Sequence, residues 1–255
     1  MTLTSKYDVQ YGPNLTLDWY QLANQPAKGI IIDIHGGGWF QGDKAKEADL
    51  AQWLAQQGYL VVVPNYRLAP AAHFPAPIAD MERLYQWVQT QLPALPVAAL
   101  GGSAGGNLAV ELSIKHGLPA ISLSGILDID HWLATHQAVV ATAAHAASAD
   151  TASTAIDQAG ADDSFYKWFI SNYLTPDQAR AATPYHRVNA QSGPLLLINS
   201  LSEFVPTSGV LQLSQQLIQF GLPVETIFLA GTRHAKGYLP DVQANILAFL
   251  TRYLG

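Results

Sequence analysis

Three short segments of this chain carry residues whose types and spacing suit bond-breaking chemistry. The first is Gly101-Gly102-Ser103-Ala104-Gly105-Gly106. It contains Gly-x-Ser-x-Gly, follows an apolar run and opens a helical pattern. A serine on such a strand-to-helix turn needs small neighbours, which Gly101, Ala104 and Gly105 supply. Its hydroxyl then lies at a helix N-terminus, where N–H groups and the helix dipole favour developing negative charge. The plainer alternative is a glycine-rich turn that cradles a phosphate. The second segment, His35-Gly36-Gly37-Gly38-Trp39, directly follows the apolar run Ile30 to Ile34. Successive glycines let main-chain N–H groups face a ligand, and Gly37, Gly38 and Ala104 are the expected donors to an oxyanion. The alternative there is a turn used only to reverse the chain. The two motifs occur in order, each after its own strand, and this favours the joint chemical reading.

The third segment, Gly231 to Gly237, holds His234. Of eight histidines it alone lies between the last strand and the terminal helix, where a loop can present an imidazole to Ser103 as the base. An unperturbed imidazole titrates near pH ~6.5 and accepts a proton at neutral pH. His186 reads as structural or at most substrate-facing. His73, His116, His131, His136 and His145 read as surface or helix positions, and His35 as a brace for its glycine loop. The acid is expected after the seventh strand, in Asn199 to Pro206. Three readings compete. Glu203 is the only carboxylate in that loop. Asp128 and Asp130, at the end of the preceding strand, are alternatives that could equally be a buried structural Asp or a helix cap. In the third reading there is no acid, and Ser202 holds His234 by a neutral hydrogen bond, at a cost of roughly ten-thousand-fold in turnover.

Elements to position these groups are legible. Near-continuous apolar runs read as strands of a parallel sheet covered on both faces: Gly29 to Ile34, Tyr59 to Val63, Val97 to Leu100, Ala120 to Leu123, Pro194 to Ile198 and Val224 to Leu229. Two weaker N-terminal strands, Lys6 to Tyr11 and Leu15 to Tyr20, bring the count to eight. Helical patterns cover Lys44 to Gln57, Pro77 to Gln91, Ala104 to His116, Thr207 to Phe220 and Leu239 to Tyr253. The alternation predicts a doubly wound α/β sheet with helices on both faces, in a single domain over 1–255. Residues 128–189 form a long connection between the sixth and seventh strands. Within it Ala138 to Ala161 is rich in Ala, Ser and Thr, and a helical insertion is expected, either a mobile lid or a decorative loop. The aromatic run Phe165 to Phe169 is either a lid's apolar face or core packing, and Trp39 and Phe40 either line a pocket or pack.

Composition closes off other classes. The 255 residues are 49% hydrophobic and 13% charged, with a formal net charge of -6, which describes a packed globular chain with no bulk attraction for nucleic acid or anionic lipid. With no cysteine, disulfides, thiolate metal sites and a cysteine nucleophile are excluded. No signal peptide is visible, and the apolar runs are too short to span a bilayer. A soluble cytoplasmic protein is expected, and a homo-oligomer stays open.

His35-Gly-Gly-Gly-Trp39, Tyr66-Arg-Leu-Ala-Pro70 and Gly102-Ser-Ala-Gly-Gly-Asn-Leu-Ala109 together resemble the hormone-sensitive-lipase-like carboxylesterases of the α/β-hydrolase superfamily. The likeness runs from about Gly29 to the C-terminus and is closest to compact bacterial types without the N-terminal cap. It implies an eight-stranded core, a Ser-His-acid triad, no metal, no cofactor and small ester substrates with short to medium acyl chains. Tyr66 to Pro70 is read as structural. Relatives usually carry Asp four residues before the loop proline, where this chain has Ser202. The leading expectation is ester hydrolysis through an acyl-enzyme. An amidase, arylformamidase or peptidase with the same machinery is the second, and a non-catalytic binding relative the third.

Overall fold

The computed structural model describes residues 2–143, 153–156 and 158–255. The expected alternation gives one eight-stranded sheet. Its strands are β1 (Leu3–Gly12), β2 (Leu15–Leu22), β3 (Ile30–Ile34), β4 (Leu60–Pro64), β5 (Val97–Gly102), β6 (Ala120–Leu123), β7 (Leu195–Ser200) and β8 (Val224–Leu229). Their order is β1-β2-β4-β3-β5-β6-β7-β8. The β1–β2 and β2–β4 pairs are antiparallel, and every pair from β4–β3 to β7–β8 is parallel.

The helices α1 (Ala48–Gln56) and α8 (Leu239–Leu254) cover one face. There Ile31, Val61, Leu100, Ile121 and Ile198 meet Leu54, Ile246 and Phe249. The other face carries α2 (Ala76–Gln91), α3 (Ala104–His116) and α7 (Ser208–Gln219), with Ile32, Val62, Ala99 and Leu197 against Leu84, Leu108 and Leu213. Both faces are thus removed from water, at roughly 1.5–3 kcal/mol for each fully buried Leu or Ile, which is why the central strands carry no polar alternation. A 3-10 turn, Lys44–Glu47, precedes α1 and shortens the helix expected from Lys44. Pro77 sits in the first turn of α2, as its fixed φ favours.

The connection from 128 to 189 holds α4 (Asp130–Thr135), α5 (Asp163–Tyr173) and α6 (Ala179–Ala182). Between α4 and α5, where a helix is expected over Ala138 to Ala161, residues 138–143 are irregular, and only a 3-10 turn, Ser153–Ala155, forms in the remainder described. The stretch lacks the apolar period that would give a helix a face to bury. The rest of that stretch, with His145, lies outside the described residues. α5 is different: Phe165, Tyr166 and Phe169 are buried, so the aromatic run packs into the molecule. Among the described residues no helix is long and apolar enough to cross a membrane.

Parallel strands end at the same edge of a sheet, and their C-terminal loops cluster there. The loops after β3, β5, β6, β7 and β8 carry His35 to Gly38, Ser103, Ser124, Glu203 and His234 respectively. Segments up to 200 residues apart in sequence therefore share one edge.

Candidate active site

Ser103 occupies the turn from β5 into α3 with φ 56° and ψ -121°, a region that costs about 1–3 kcal/mol for a residue with a side chain. Its neighbours hold it there. The Ser103 N–H donates to Leu123 O at 2.8 Å, and its carbonyl accepts from Asn107 N at 3.1 Å. Asn107 in turn donates its side chain to Ile126 O at 2.8 Å. The motif's glycine at 105 is demanded by contact: a Cβ there would lie 2.0 Å from Ile34 O. The tight turn and the approach of α3 to β3 are one constraint.

The loop after β3 turns at Gly37 and Gly38, with φ of +108° and +56°. Gly37 could carry no side chain in any case, because a Cβ would meet Gln41 O at 2.2 Å. Ala104 begins α3, so its N–H is among those that a helix leaves without an internal acceptor. His35 braces this loop. Its Nδ1–H donates to Gly36 O at 2.8 Å, its carbonyl accepts from Tyr66 OH at 2.9 Å, and its ring stacks on Tyr66 at 4.2 Å. Burial pushes the His35 pKa down to about 4, so the ring is neutral near pH 7. Tyr66 begins the Tyr-Arg-Leu-Ala-Pro motif, and Arg67 forks onto Asp80 at 2.7–3.0 Å. The motif's work is structural.

His234 and Glu203 meet in the interior, both under 5% exposed. Nδ1 of His234 donates to Glu203 Oε2 at 2.6 Å, a charge-assisted length. The other carboxylate oxygen, Oε1, accepts from Ser200 N at 2.6 Å and Ser124 Oγ at 2.9 Å. Ser124 also accepts from Ala235 N at 2.9 Å, and Tyr238 OH lies 2.8 Å from both Ser124 Oγ and Ile198 O. The carboxylate is therefore fixed by donors from three different loops. The His234 backbone has its own clamp. Its N–H donates to Gln158 Oε1 at 2.9 Å, and its carbonyl accepts from Gln158 Nε2 at 3.0 Å. The Phe204 ring and the imidazole pack nearly at right angles with centroids 5.4 Å apart.

Ser103 and His234 line the same cavity, with Gly36, Gly37, Ile156 and Ala235. It encloses about 760 Å³ counting the part open to solvent. A second, narrower space of about 210 Å³ also touches Ser103 and Gly38 and is walled by Phe40, Phe165, Phe169 and Phe204. Trp39 is buried instead, stacked on Tyr173 at 4.1 Å.

The other acid candidates lie elsewhere. Asp128 accepts from Ser208 Oγ at 2.7 Å and from Trp132 N at 3.3 Å, at the start of α4. Asp130 pairs with His186 Nε2 at 2.6 Å and with Tyr185 OH at 2.9 Å, which makes His186 a structural residue. Ser202 is exposed at the outside of its loop and gives its N–H to Gly231 O at 3.0 Å. The reading in which Ser202 holds the imidazole is therefore corrected: the loop turns Glu203 inward and Ser202 outward. Ser124, Tyr238 and Gln158 carry no sequence signal, because each works through a contact more than 70 residues away. Among the described residues no group of three or more His, Asp or Glu is placed to hold a metal ion.

A family model described as alpha/beta hydrolase fold matches residues 31–236. The chain belongs to that family. Among solved structures this alpha/beta hydrolase is similar to a double mutant of the esterase E40 (TM-score 0.76, 20% identity, 99% of this chain and 85% of that one). It is also similar to an esterase of the bacterial hormone-sensitive lipase family (TM-score 0.75, 19% identity, 99% and 85%). The expected likeness to hormone-sensitive-lipase-like proteins and the expected fold are both upheld. Among curated proteins it is similar to an FAD-linked oxidoreductase of Aspergillus terreus, 32% identical over 102 residues, 38% of this chain and 13% of that one. It is also similar to the versiconal hemiacetal acetate esterase of Dothistroma septosporum, 34% identical over 92 residues, 34% and 28%. The match spans well under half the length of each of these curated relatives.

Proposed function

We propose that this alpha/beta hydrolase cleaves carboxylic esters of short to medium acyl chain through an acyl-enzyme on Ser103. The observation that carries the reading is the 2.6 Å contact of His234 Nδ1 with the buried Glu203 carboxylate, on the wall of the cavity that also holds Ser103. A carboxylate at Nδ1 fixes the tautomer that leaves Nε2 unprotonated, and that is the form of imidazole able to act as a base. In the proposed sequence Ser103 Oγ bonds to the carbonyl carbon as its proton passes to His234 Nε2. The oxyanion forms against the amides of Gly37, Gly38 and Ala104. As the carbon–oxygen bond breaks, the alcohol leaves with the proton from His234. Water then gives a proton to His234 and its hydroxyl to the acyl carbon, which frees the acid and restores Ser103. The relatives named for esterase activity support the bond type.

Rapid mixing with p-nitrophenyl butyrate tests this. A burst of one nitrophenolate per chain is expected, lost in Ser103→Ala along with labelling by a fluorophosphonate. Absence of both burst and labelling in the folded parent chain would refute the reading. The p-nitroanilide of the same acid, run beside the ester, separates an esterase from an amidase.

A further inference from the structure

Ser103 touches two unlike spaces. One is the narrow aromatic slot. The larger is bordered, beyond the glycine loop, by three charged residues that the proposed reaction does not use, Lys46, Glu47 and Lys236. Glu47 and Lys236 are 6% and 4% exposed.

Their partners are unequal. The Lys236 ammonium has three protons to give. It contacts Lys46 O at 2.8 Å, the Asp49 carboxylate, and Glu47 Oε2 at 3.4 Å. Asp49 and Lys46 thus hold the cation at hydrogen-bond distance, while Glu47 stands beyond the usual N–H···O range. A carboxylate out of water strongly favours hydrogen-bond donors around it. Among the described residues, neither Asp33 nor His35 offers it a donor. Asp33, on β3 behind it, is fully buried, and both its carboxylate oxygens lack a hydrogen-bond partner. Burial, followed by Glu47 itself, pushes the Asp33 pKa well up. His35 is neutral, its Nδ1 proton committed to Gly36 O. Asp49 adds a further negative charge.

We propose that the half of the ester lodged in this cavity carries a hydrogen-bond donor, an ammonium or a hydroxyl, which Glu47 accepts. The inference rests on the esterase reading and narrows its substrate class. The aromatic slot takes the apolar half. Glu47 is then a specificity-determining residue: it binds substrate and leaves the proton transfers to His234.

Two sets of matched esters test it. In the acyl set, p-nitrophenyl 6-aminohexanoate and 6-hydroxyhexanoate are compared with p-nitrophenyl heptanoate. In the alcohol set, 4-aminobutyl and 4-hydroxybutyl butyrate are compared with pentyl butyrate, acid release being followed with a pH indicator. Rates are normalised to sites titrated with a fluorophosphonate, so a partly folded preparation leaves the ratios untouched. In one set the parent chain favours the donor-bearing ester in kcat/KM, and Glu47→Gln lowers the ammonium preference roughly ten-fold or more, the scale of a hydrogen bond to a charged group. Glu47→Asp, which keeps the charge but draws it back, lowers it less and provides a second variant should the first not fold. Equal kcat/KM for donor and apolar esters in both sets, or ratios that Glu47→Gln leaves unchanged, overturn the proposal. Failure to cleave any of the six esters, or to take the fluorophosphonate, would instead count against the esterase reading.

Discussion

Replacing Glu203 by Gln changes one atom and should nearly abolish turnover, for a reason that the donors around the carboxylate dictate. Oε1 accepts two protons, from Ser200 N at 2.6 Å and Ser124 Oγ at 2.9 Å, while Oε2 accepts one, from His234 Nδ1 at 2.6 Å. Gln offers one acceptor oxygen and one donor nitrogen. If its NH2 turned towards Ser200, it would face a main-chain N–H that cannot rotate away. A buried donor left without an acceptor costs about 1–3 kcal/mol, which favours the opposite orientation by roughly ten-fold or more. The oxygen therefore keeps Ser200 and Ser124, and the NH2 faces His234 Nδ1. A donor there demands an unprotonated Nδ1, so the neutral ring carries its proton on Nε2 and cannot take one from Ser103. The same tautomer error in a comparable triad costs ~10⁴-fold in kcat, and a loss of that order is expected here. The assay is steady-state hydrolysis of p-nitrophenyl butyrate from pH 6 to 9, with thermal melting to show that the variant folds. A folded Glu203→Gln chain whose kcat stays within ten-fold of the parent would refute the assignment of Glu203 as the orienting acid.

Two further predictions follow from the same geometry. Gln158→Ala removes both hydrogen bonds that hold the His234 backbone. At about 1 kcal/mol each, it should lower kcat roughly ten-fold while KM changes little, and an unchanged kcat would show that the imidazole is positioned without it. His35, whose pKa burial lowers to about 4, is neutral in the folded chain and protonated below pH ~6.5 in the unfolded one. Its contribution to stability is complete above pH ~6.5 and is lost as pH falls towards 4, to the extent of about 3 kcal/mol. Urea unfolding of the parent and of His35→Phe, which keeps a ring on Tyr66, should give a stability difference that shrinks on acidification. Parallel pH profiles for the two chains would contradict this.

What could be read from the sequence divides by physical cause. Where the backbone itself makes the demand, the residue type is visible. Gly105 must be glycine because Ile34 O lies 2.0 Å from where its Cβ would be, and Gly37 and Gly38 must turn with positive φ. Strands buried on both faces must be apolar throughout. The sheet, the serine turn and the glycine loop are therefore legible, and so is the loop that bears His234, since its place between last strand and last helix needs only counting. In the described part of Ala138 to Ala161, residues 138–143 are irregular, as a permissive composition with no apolar period to give a helix a packing face would have it.

Where the demand comes from a partner, the residue type alone is silent. Ser202 and Glu203 are adjacent polar residues in one loop, and which of them faces the imidazole depends on the turn that follows β7. Leu201 N still bonds Leu229 O at 2.8 Å, and Ser202 N bonds Gly231 O at 3.0 Å. Those two bonds hold the turn that follows β7, in which Leu201 and Ser202 are exposed and Glu203 is buried against Ser124 and His234. Moving that turn by one residue would exchange the two side chains with no change in composition. Gln158 makes the same point from a stretch that a sequence reading treats as filler: its value lies in matching the donor and acceptor of a main chain 76 residues away. The groups that do the chemistry are announced by the backbone they require, and the groups that aim them are defined only by the protons they meet.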